Sequence, residues 1–368
     1  MKTTKKAVVS GLAMIGAAAL LAGCGAAPES NGASGGAAAG ASDYLPCMVS
    51  DSGGFDDKSF NQLGKEGLDA AASELGSKKP IEVQSQSETD FASNLQNLVD
   101  QGCNTIITVG FLLAPAALES ATANPDLQYV SIDDTVDQDF DGTTDAPNIK
   151  PIIFDTAQAA YLAGYLAAGT SKTGVVGTFG GMNIPTVTIF MDGFAQGVEK
   201  YNTDNNASVR VVGWDRTAKD GSFTGGFEAN DTARQTAQAI IDQNVDVLLP
   251  VGGPIYQSAA VAIQDSGREI ALVGVDADVY ETDPSIGDLL LTSILKGIDV
   301  GTKDAIVAAG EGSFDTAPFI GTLENDGVGL APFHDWSDRV PADLSSKVDA
   351  LKADIVSGEI KVESYLAG

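Results

Sequence analysis

The residues best equipped for chemistry form one short run early in the chain. It reads Asp51-Ser52-Gly53-Gly54-Phe55-Asp56-Asp57-Lys58-Ser59-Phe60-Asn61. Three carboxylates, two hydroxyls, an ammonium, an amide and aromatic faces share a stretch whose paired glycines let the backbone turn sharply. Such a set can grip a small polar molecule. It can also supply acid–base groups, with Asp51, Asp56 and Asp57 as the candidates. A plainer reading is a loop whose polar residues serve the next helix, with Ser59 as its cap. Composition alone leaves these readings level.

Similar residues recur further on. Gly110-Phe111, Asp133-Asp134, Gly180-Gly181-Met182, Gly252-Gly253-Pro254 and Asp276 each follow a short apolar run. A carboxylate so placed can accept two hydrogen bonds, from a diol or from the N–H edge of a heterocycle. Aromatics such as Phe60 and Phe227 can stack on a planar ligand. Taken singly, each of these residues is as well explained by a turn or a core.

Other chemistry has little support. His334 is the one histidine, in a polar stretch near the C-terminus. No Cys/His spacing suits zinc, no phosphate-binding glycine loop occurs, and no cofactor or metal is expected. A Gly-x-Ser-x-Gly match at residues 32–36 lies in a Gly/Ala/Ser tract, away from any strand-to-helix turn. Asp137, Asp139, Asp141, Gly142 and Asp145 imitate the start of a calcium loop. Asn148 stands where such a loop needs its bidentate glutamate, so an acidic surface loop is the expectation.

The elements that position these groups alternate. Strand-like runs at residues 45–49, 81–84, 105–109 and 129–132 are separated by helical patterns at 61–75 and from 89 or 90 onward. The pattern restarts with a helix at 157–168 and strands at 174–179, 209–214, 247–251 and 271–275. Alternation of this kind predicts parallel sheets covered on both faces, here as two doubly wound units. A third section, with a strand at 289–295 and helices at 298–309 and 344–356, tops up both. In such sheets ligands bind beyond the carboxyl ends of the strands, which is where the singled-out residues fall.

The chain's ends and charge narrow the setting. Lys2, Lys5 and Lys6 precede an apolar stretch ending in Leu21-Ala22-Gly23-Cys24, which reads as a lipoprotein leader with Cys24 as the acylated residue. Residues 24–43 are Gly/Ala/Ser-rich and read as a flexible tether. Of 368 residues, 50 are acidic and 21 basic, a net charge of −29. That field disfavours nucleic acid and anionic ligands, and suits a neutral or cationic small molecule.

Six segments together resemble the basic membrane protein family of ABC-importer lipoproteins. They are the leader motif, DSGGFDDKSFNQ (51–62), SKTGVVGTFGGMNIP (171–185), GVDAD (274–278), TSILKGIDV (292–300) and NDGVGLAPFHDW (325–336). The resemblance runs in matching order over nearly the whole mature chain. It implies a type I periplasmic-binding-protein fold, α/β, with two Rossmann-like doubly wound lobes joined by a hinge that the chain crosses several times. The expected division is a leader at 1–23, a tether at 24–43, an N-terminal lobe of 44–153 plus 277–312, and a C-terminal lobe of 154–276 plus 313–368.

The family's site, carried over by position, gives Asp51, Ser59, Phe60 and Asn61 from the first loop. Phe60 is expected to stack on a purine base and Asn61 to read its edge. Asp133 faces the base, and Phe227 is the second aromatic, with Phe223 as a rival. Gly253, Asp276 and Lys296 face the ribose. The implied partners are a nucleoside and ABC permease and ATPase subunits, with a lipid-anchored monomer on the extracytoplasmic face of the cell membrane. Two alternatives stand beside this reading: an extracellular nucleoside hydrolase using the clustered aspartates, and a sensor or sugar-binding lipoprotein.

Cys47 lies in the first predicted strand and Cys103 just before the third. In a doubly wound sheet the first strand sits beside the third, so a disulfide between them is within geometric reach. Two buried free thiols are the alternative.

Overall fold

The computed structural model describes residues 41–365 apart from Phe140. The leader, Cys24 and nearly all of the tether lie outside the described residues.

The first half of the chain builds one sheet. Its elements are β1 (Pro46–Ser50), α1 (Phe60–Leu75), β2 (Ile81–Gln84), α2 (Phe91–Asp100), β3 (Thr105–Val109), α3 (Ala114–Ala123), β4 (Gln128–Ile132) and β5 (Ile149–Phe154). Next come α4 (Thr156–Thr170), β6 (Val175–Gly180), α5 (Pro185–Asn205), β7 (Arg210–Val212) and a small ribbon of β8 (Trp214–Asp215) and β9 (Asp220–Gly221). This middle run, which builds the second sheet, closes with α6 (Asp231–Ile241), β10 (Val247–Val251), α7 (Ile255–Ser266), β11 (Ala271–Asp276), α8 (Val279–Thr282) and β12 (Leu290–Lys296). The last part holds α9 (Ile298–Gly310), β13 (Phe319–Gly321), β14 (Val328–Leu330) and α10 (Ala342–Val356).

Two six-stranded sheets result, ordered β2-β1-β3-β4-β5-β13 and β7-β6-β10-β11-β12-β14. All pairings within them are parallel except β12 with β14. Strands β1, β3, β10 and β11 are buried along their whole length, which is why they read as continuous apolar runs and not as alternating ones. Helix α4 is buried on nearly every side and packs against α5 and α10. An all-round apolar helix of this kind is a core element. Among the described residues no helix is long and apolar enough to cross a membrane.

The fold is the expected pair of doubly wound lobes, but the division between them needs correcting. Residues 277–312 do not all belong to the first lobe. β12 pairs in parallel with β11, with a register shift between Leu272 and Val273, and lies in the second sheet. β13, expected in the second lobe, pairs with β5 in the first. The reason is local: the link from β11 to β12 is one short helix and a 3-10 turn, so β12 continues the sheet just left. The chain crosses between lobes after Phe154, after Lys296, and between Gly321 and Val328. Helix α9 then returns to the first lobe and packs on α1.

Cys47 and Cys103 are joined in a disulfide with Cα atoms 5.9 Å apart. Both are almost fully buried among Phe91, Leu95, Leu98 and Ile106. The bond closes a loop with a sequence separation of 56. Replacing both cysteines by alanine is expected to lower the unfolding free energy of the unreduced protein by about 2–4 kcal/mol. Urea denaturation measures this. An unchanged midpoint and slope would mean the cross-link contributes nothing.

Candidate functional site

The carboxyl ends of the strands in both sheets converge on one crevice. It holds about 520 Å³ of empty space, open solvent at its mouth included. The first lobe contributes Asp51, Ser52, Asp57, Phe60, Asn61, Gly110, Phe111 and Asp133. The second contributes Ile184, Thr186, Val187, Phe190, Phe227, Gly253, Asp276 and Lys296, among others.

Lys296, the last residue of β12, is the charge at the centre. Its side chain is 3% exposed. Its Nζ donates to Asp133 Oδ2 at 2.6 Å and lies 3.7 Å from Asp276 Oδ1. The rings of Phe60 and Phe190, each 5.1 Å away, and of Phe154 at 5.6 Å surround the ammonium. Negative ring faces compensate part of the lost hydration. The two partner aspartates sit at matching places, one just after β4 and one at the end of β11. Both have left-handed backbones, φ 70° at Asp133 and 67° at Asp276. This costly conformation for a non-glycine residue is often found at functional sites.

Electrostatics in the crevice are dominated by burial. Asp276 is pushed up to about 6, chiefly by desolvation, which outweighs the attraction of Lys296, with Asp133 adding to the rise. Desolvation also raises Asp133 against the pull of Lys296. Asp51 is raised well above the usual carboxylate range by burial and then by the neighbouring charges of Asp57 and Asp133. Desolvation lifts Asp134, behind Asp133, to about 6. Four carboxylates, those of Asp51, Asp57, Asp133 and Asp276, thus line a crevice in which Lys296 is the one lining cation among the described residues.

The first loop is arranged differently from the simplest reading of its sequence. Ser59 does not cap α1. Its hydroxyl donates instead across the crevice, to Val275 O at 2.9 Å and Asp276 Oδ2 at 3.1 Å. Asp57 does the capping: it accepts from the backbone N–H of Ser59, Asn61 and Gln62 at 2.9–3.0 Å. A carboxylate reaches three N–H groups of a first turn better than a hydroxyl can. Asn61 donates through Nδ2 to Ser52 O at 3.1 Å. Its Oδ1 is buried with no hydrogen-bond partner, an acceptor left over on the crevice wall.

Two glycine positions shape the walls. A Cβ on Gly110 (φ 119°) would overlap the Asp51 carboxylate, so the missing side chain is what lets Asp51 sit there. At the corresponding place in the second sheet, a Cβ on Gly252 would stand 2.7 Å from the ring of Phe227. Phe227 therefore lies over the strand ends and lines the crevice. Its rival Phe223 bridges to Gly180 and does not.

All nine residues singled out from sequence are close to this crevice. Asp51, Phe60, Asn61, Asp133, Phe227, Gly253, Asp276 and Lys296 line it, and Ser59 bonds to its wall. Asp278, two residues beyond Asp276, instead caps α8 and pairs with His334 at 2.8 Å. Asp57 and Phe111, singled out from sequence but not placed in the site, line it too; Ile184, Thr186, Val187 and Phe190 were not singled out as site residues. Ile184 caps α5 and Thr186 lies in its first turn, a few residues beyond the end of β6; Phe190, one turn further along α5, has the spacing of any core residue of a helix. The calcium-like loop lies at the surface, as the sequence suggested. Asp137, Asp139 and Asp145 gather there, but their carboxylates accept from backbone N–H groups of the loop. Asn148 ties down the α3–β4 turn through three carbonyls.

Two doubly wound lobes meeting at an acceptor-rich crevice define a two-lobed solute-binding protein. The chain belongs to the Bmp family, described as ABC transporter substrate-binding proteins, PnrA-like, whose sequence pattern matches residues 45–365. It is 30% identical to the CD4+ T-cell-stimulating antigen of Listeria monocytogenes, over 87% of this chain and 88% of that protein. It is 28% identical to the ABC transporter nucleoside-binding protein BmpA of Lactococcus lactis, over 98% and 99%. A solved ABC transporter solute-binding protein from Aeropyrum pernix superposes with a TM-score of 0.76 at 26% identity, covering 86% of this chain and 92% of its own.

The titration of Asp276 has a testable sign. Its folded value of about 6 exceeds the ordinary 3.8, so between those values the folded protein holds the proton and the unfolded chain does not. The contribution of Asp276 to stability is therefore largest below this window and falls as pH rises through it. Asp276→Asn is expected to flatten the pH dependence of the unfolding free energy between pH 4 and 6.5, measured by urea denaturation. An identical slope in mutant and wild type contradicts the assignment.

Proposed function

We propose that the crevice binds a nucleoside, most readily a purine nucleoside, and that the protein hands it to a membrane permease as the lobes open. What carries the reading is the crevice's surplus of acceptors: the buried carboxylates of Asp51, Asp133 and Asp276 and the free Asn61 Oδ1 against the ammonium of Lys296. A ligand that fits brings donors, such as vicinal hydroxyls and the N–H edge of a base, and no phosphate of its own. Phe60 and Phe227 supply aromatic faces for a planar ring. Asp276 and Lys296 form an acceptor–donor pair suited to a ribose diol. The similarity to the nucleoside-binding BmpA of Lactococcus lactis supports the same ligand class.

The hydrolase alternative loses ground on one observation. Asp57, one of its candidate acids, spends its carboxylate on three backbone N–H groups at the start of α1, those of Ser59, Asn61 and Gln62. Incubation with inosine should therefore release no free base.

Calorimetry with inosine and with inosine monophosphate tests the ligand class, and the nucleoside should bind more tightly. Phe60→Ala should weaken nucleoside binding by roughly 1–3 kcal/mol, a typical worth for base–aromatic stacking. Unchanged affinity would place the ligand elsewhere.

Membrane attachment through acylated Cys24 belongs to the same proposal, motivated by the Leu21-Ala22-Gly23-Cys24 motif. Cys24→Ala should move the protein from the detergent phase to the aqueous phase on partitioning. Retention in detergent would mean that acylation is not the anchor.

A further inference from the structure

The loop between β1 and α1 reaches the second lobe at a place outside the ligand crevice. Lys58 has a left-handed backbone with φ 57°, an unfavourable state for a residue with a Cβ. Its Nζ lies 2.9 Å from Asp283 Oδ1, and its carbonyl accepts from Thr282 Oγ1 at 2.7 Å. Asp283 is a prepared acceptor. Its side chain is 6% exposed, and it also receives Tyr256 OH at 3.1 Å and Ser285 Oγ at 2.7 Å. The next residue, Ser59, adds its two bonds to Val275 and Asp276. Two consecutive residues of one lobe thus make four polar contacts with the other. Neither Lys58 nor Asp283 is among the residues lining the crevice.

Exposed ion pairs contribute little because both groups lose side-chain freedom and water competes for them. Here the carboxylate is already buried and held by two hydroxyls, so one long side chain remains to be ordered. Strain in the Lys58 backbone persists only where surrounding contacts fix it. When the lobes part, the four contacts must break together, and the strain at Lys58 can relax.

We propose that Lys58 and Asp283 form an interlobe latch, a positioning pair that favours the closed state and slows ligand release without touching the ligand. The kinetic part rests on the proposed binding function; the conformational part does not. By shifting the open–closed equilibrium, the latch acts on free and bound protein alike.

The test uses Lys58→Met, Lys58→Arg, Asp283→Asn and the Lys58→Met/Asp283→Asn pair in the full chain. Inosine is the probe for stopped-flow kinetics, and small-angle scattering of ligand-free protein reports opening. Lys58→Met is expected to raise the dissociation rate about tenfold with little change in association, since closely related complexes differ mostly in off-rate. Lys58→Arg should restore most of the effect. The double variant should release ligand no faster than the single ones. Ligand-free Lys58→Met should show a larger radius of gyration than wild type.

An unchanged dissociation rate overturns the latch. So does a faster rate with unchanged ligand-free scattering, because the pair would then act only through the ligand. If wild-type protein does not bind inosine, the nucleoside reading fails and the scattering comparison alone decides the latch. If Asp283→Asn fails to fold, the two Lys58 variants carry the test.

Discussion

A single buried ammonium organises this protein. Lys296 leaves water at the end of β12 and is met by Asp133 from one lobe and Asp276 from the other. Burying either carboxylate alone would be costly, and burying the lysine alone equally so. Placed together they compensate in part, though not fully, which is why Asp133 and Asp276 stay raised above the ordinary carboxylate range. The arrangement leaves the crevice short of positive charge and short of donors. A ligand that supplies donors would relieve that deficit, which is the physical basis of the proposed ligand class.

The two lobes prepare this centre by repeating one plan. Each sheet runs in the same spatial order, and corresponding strands end in corresponding devices. An aspartate with a left-handed backbone closes each of β4 and β11, directly after the first and as the last residue of the second. β3 and β10 are both followed by a glycine whose missing side chain admits a neighbour, the Asp51 carboxylate in one lobe and the Phe227 ring in the other. The lobes differ where the chain crosses after β5 and β12. Phe154 ends the first of these strands and Lys296 the second, and the ring lies 5.6 Å from the ammonium. Symmetry brings the carboxylates together, and its breaking at this pair provides the cation.

Much of this was legible in the sequence because strand-end residues in open α/β sheets face the ligand site whatever the protein. Asp51, Asp133, Gly253 and Asp276 could be found by that rule, and the family resemblance added Phe60, Phe227 and Lys296. The division between lobes was not legible at β12 and β13. A short apolar strand carries no mark of the sheet it joins, and only pairing with β11 or β5 decides it. Ser59 misled for a related reason. A serine before a helix has the form of a cap, but its hydroxyl serves residues more than two hundred positions away, and sequence reading sees only neighbours. Phe190 sits on a helix face that a core would also explain, so nothing in its spacing set it apart.

The central claim is that Lys296, bridged between Asp133 and Asp276, and the rings of Phe60 and Phe227 together form the ligand's seat. The most direct measurement is a crystal structure of the mature protein grown with inosine. The account predicts the base between Phe60 and Phe227, the ribose hydroxyls within hydrogen-bond distance of Asp276 and Lys296, and the Lys296–Asp133 pair intact. Ordered inosine outside this crevice, or inside it with Lys296 turned away from both aspartates, would contradict the account.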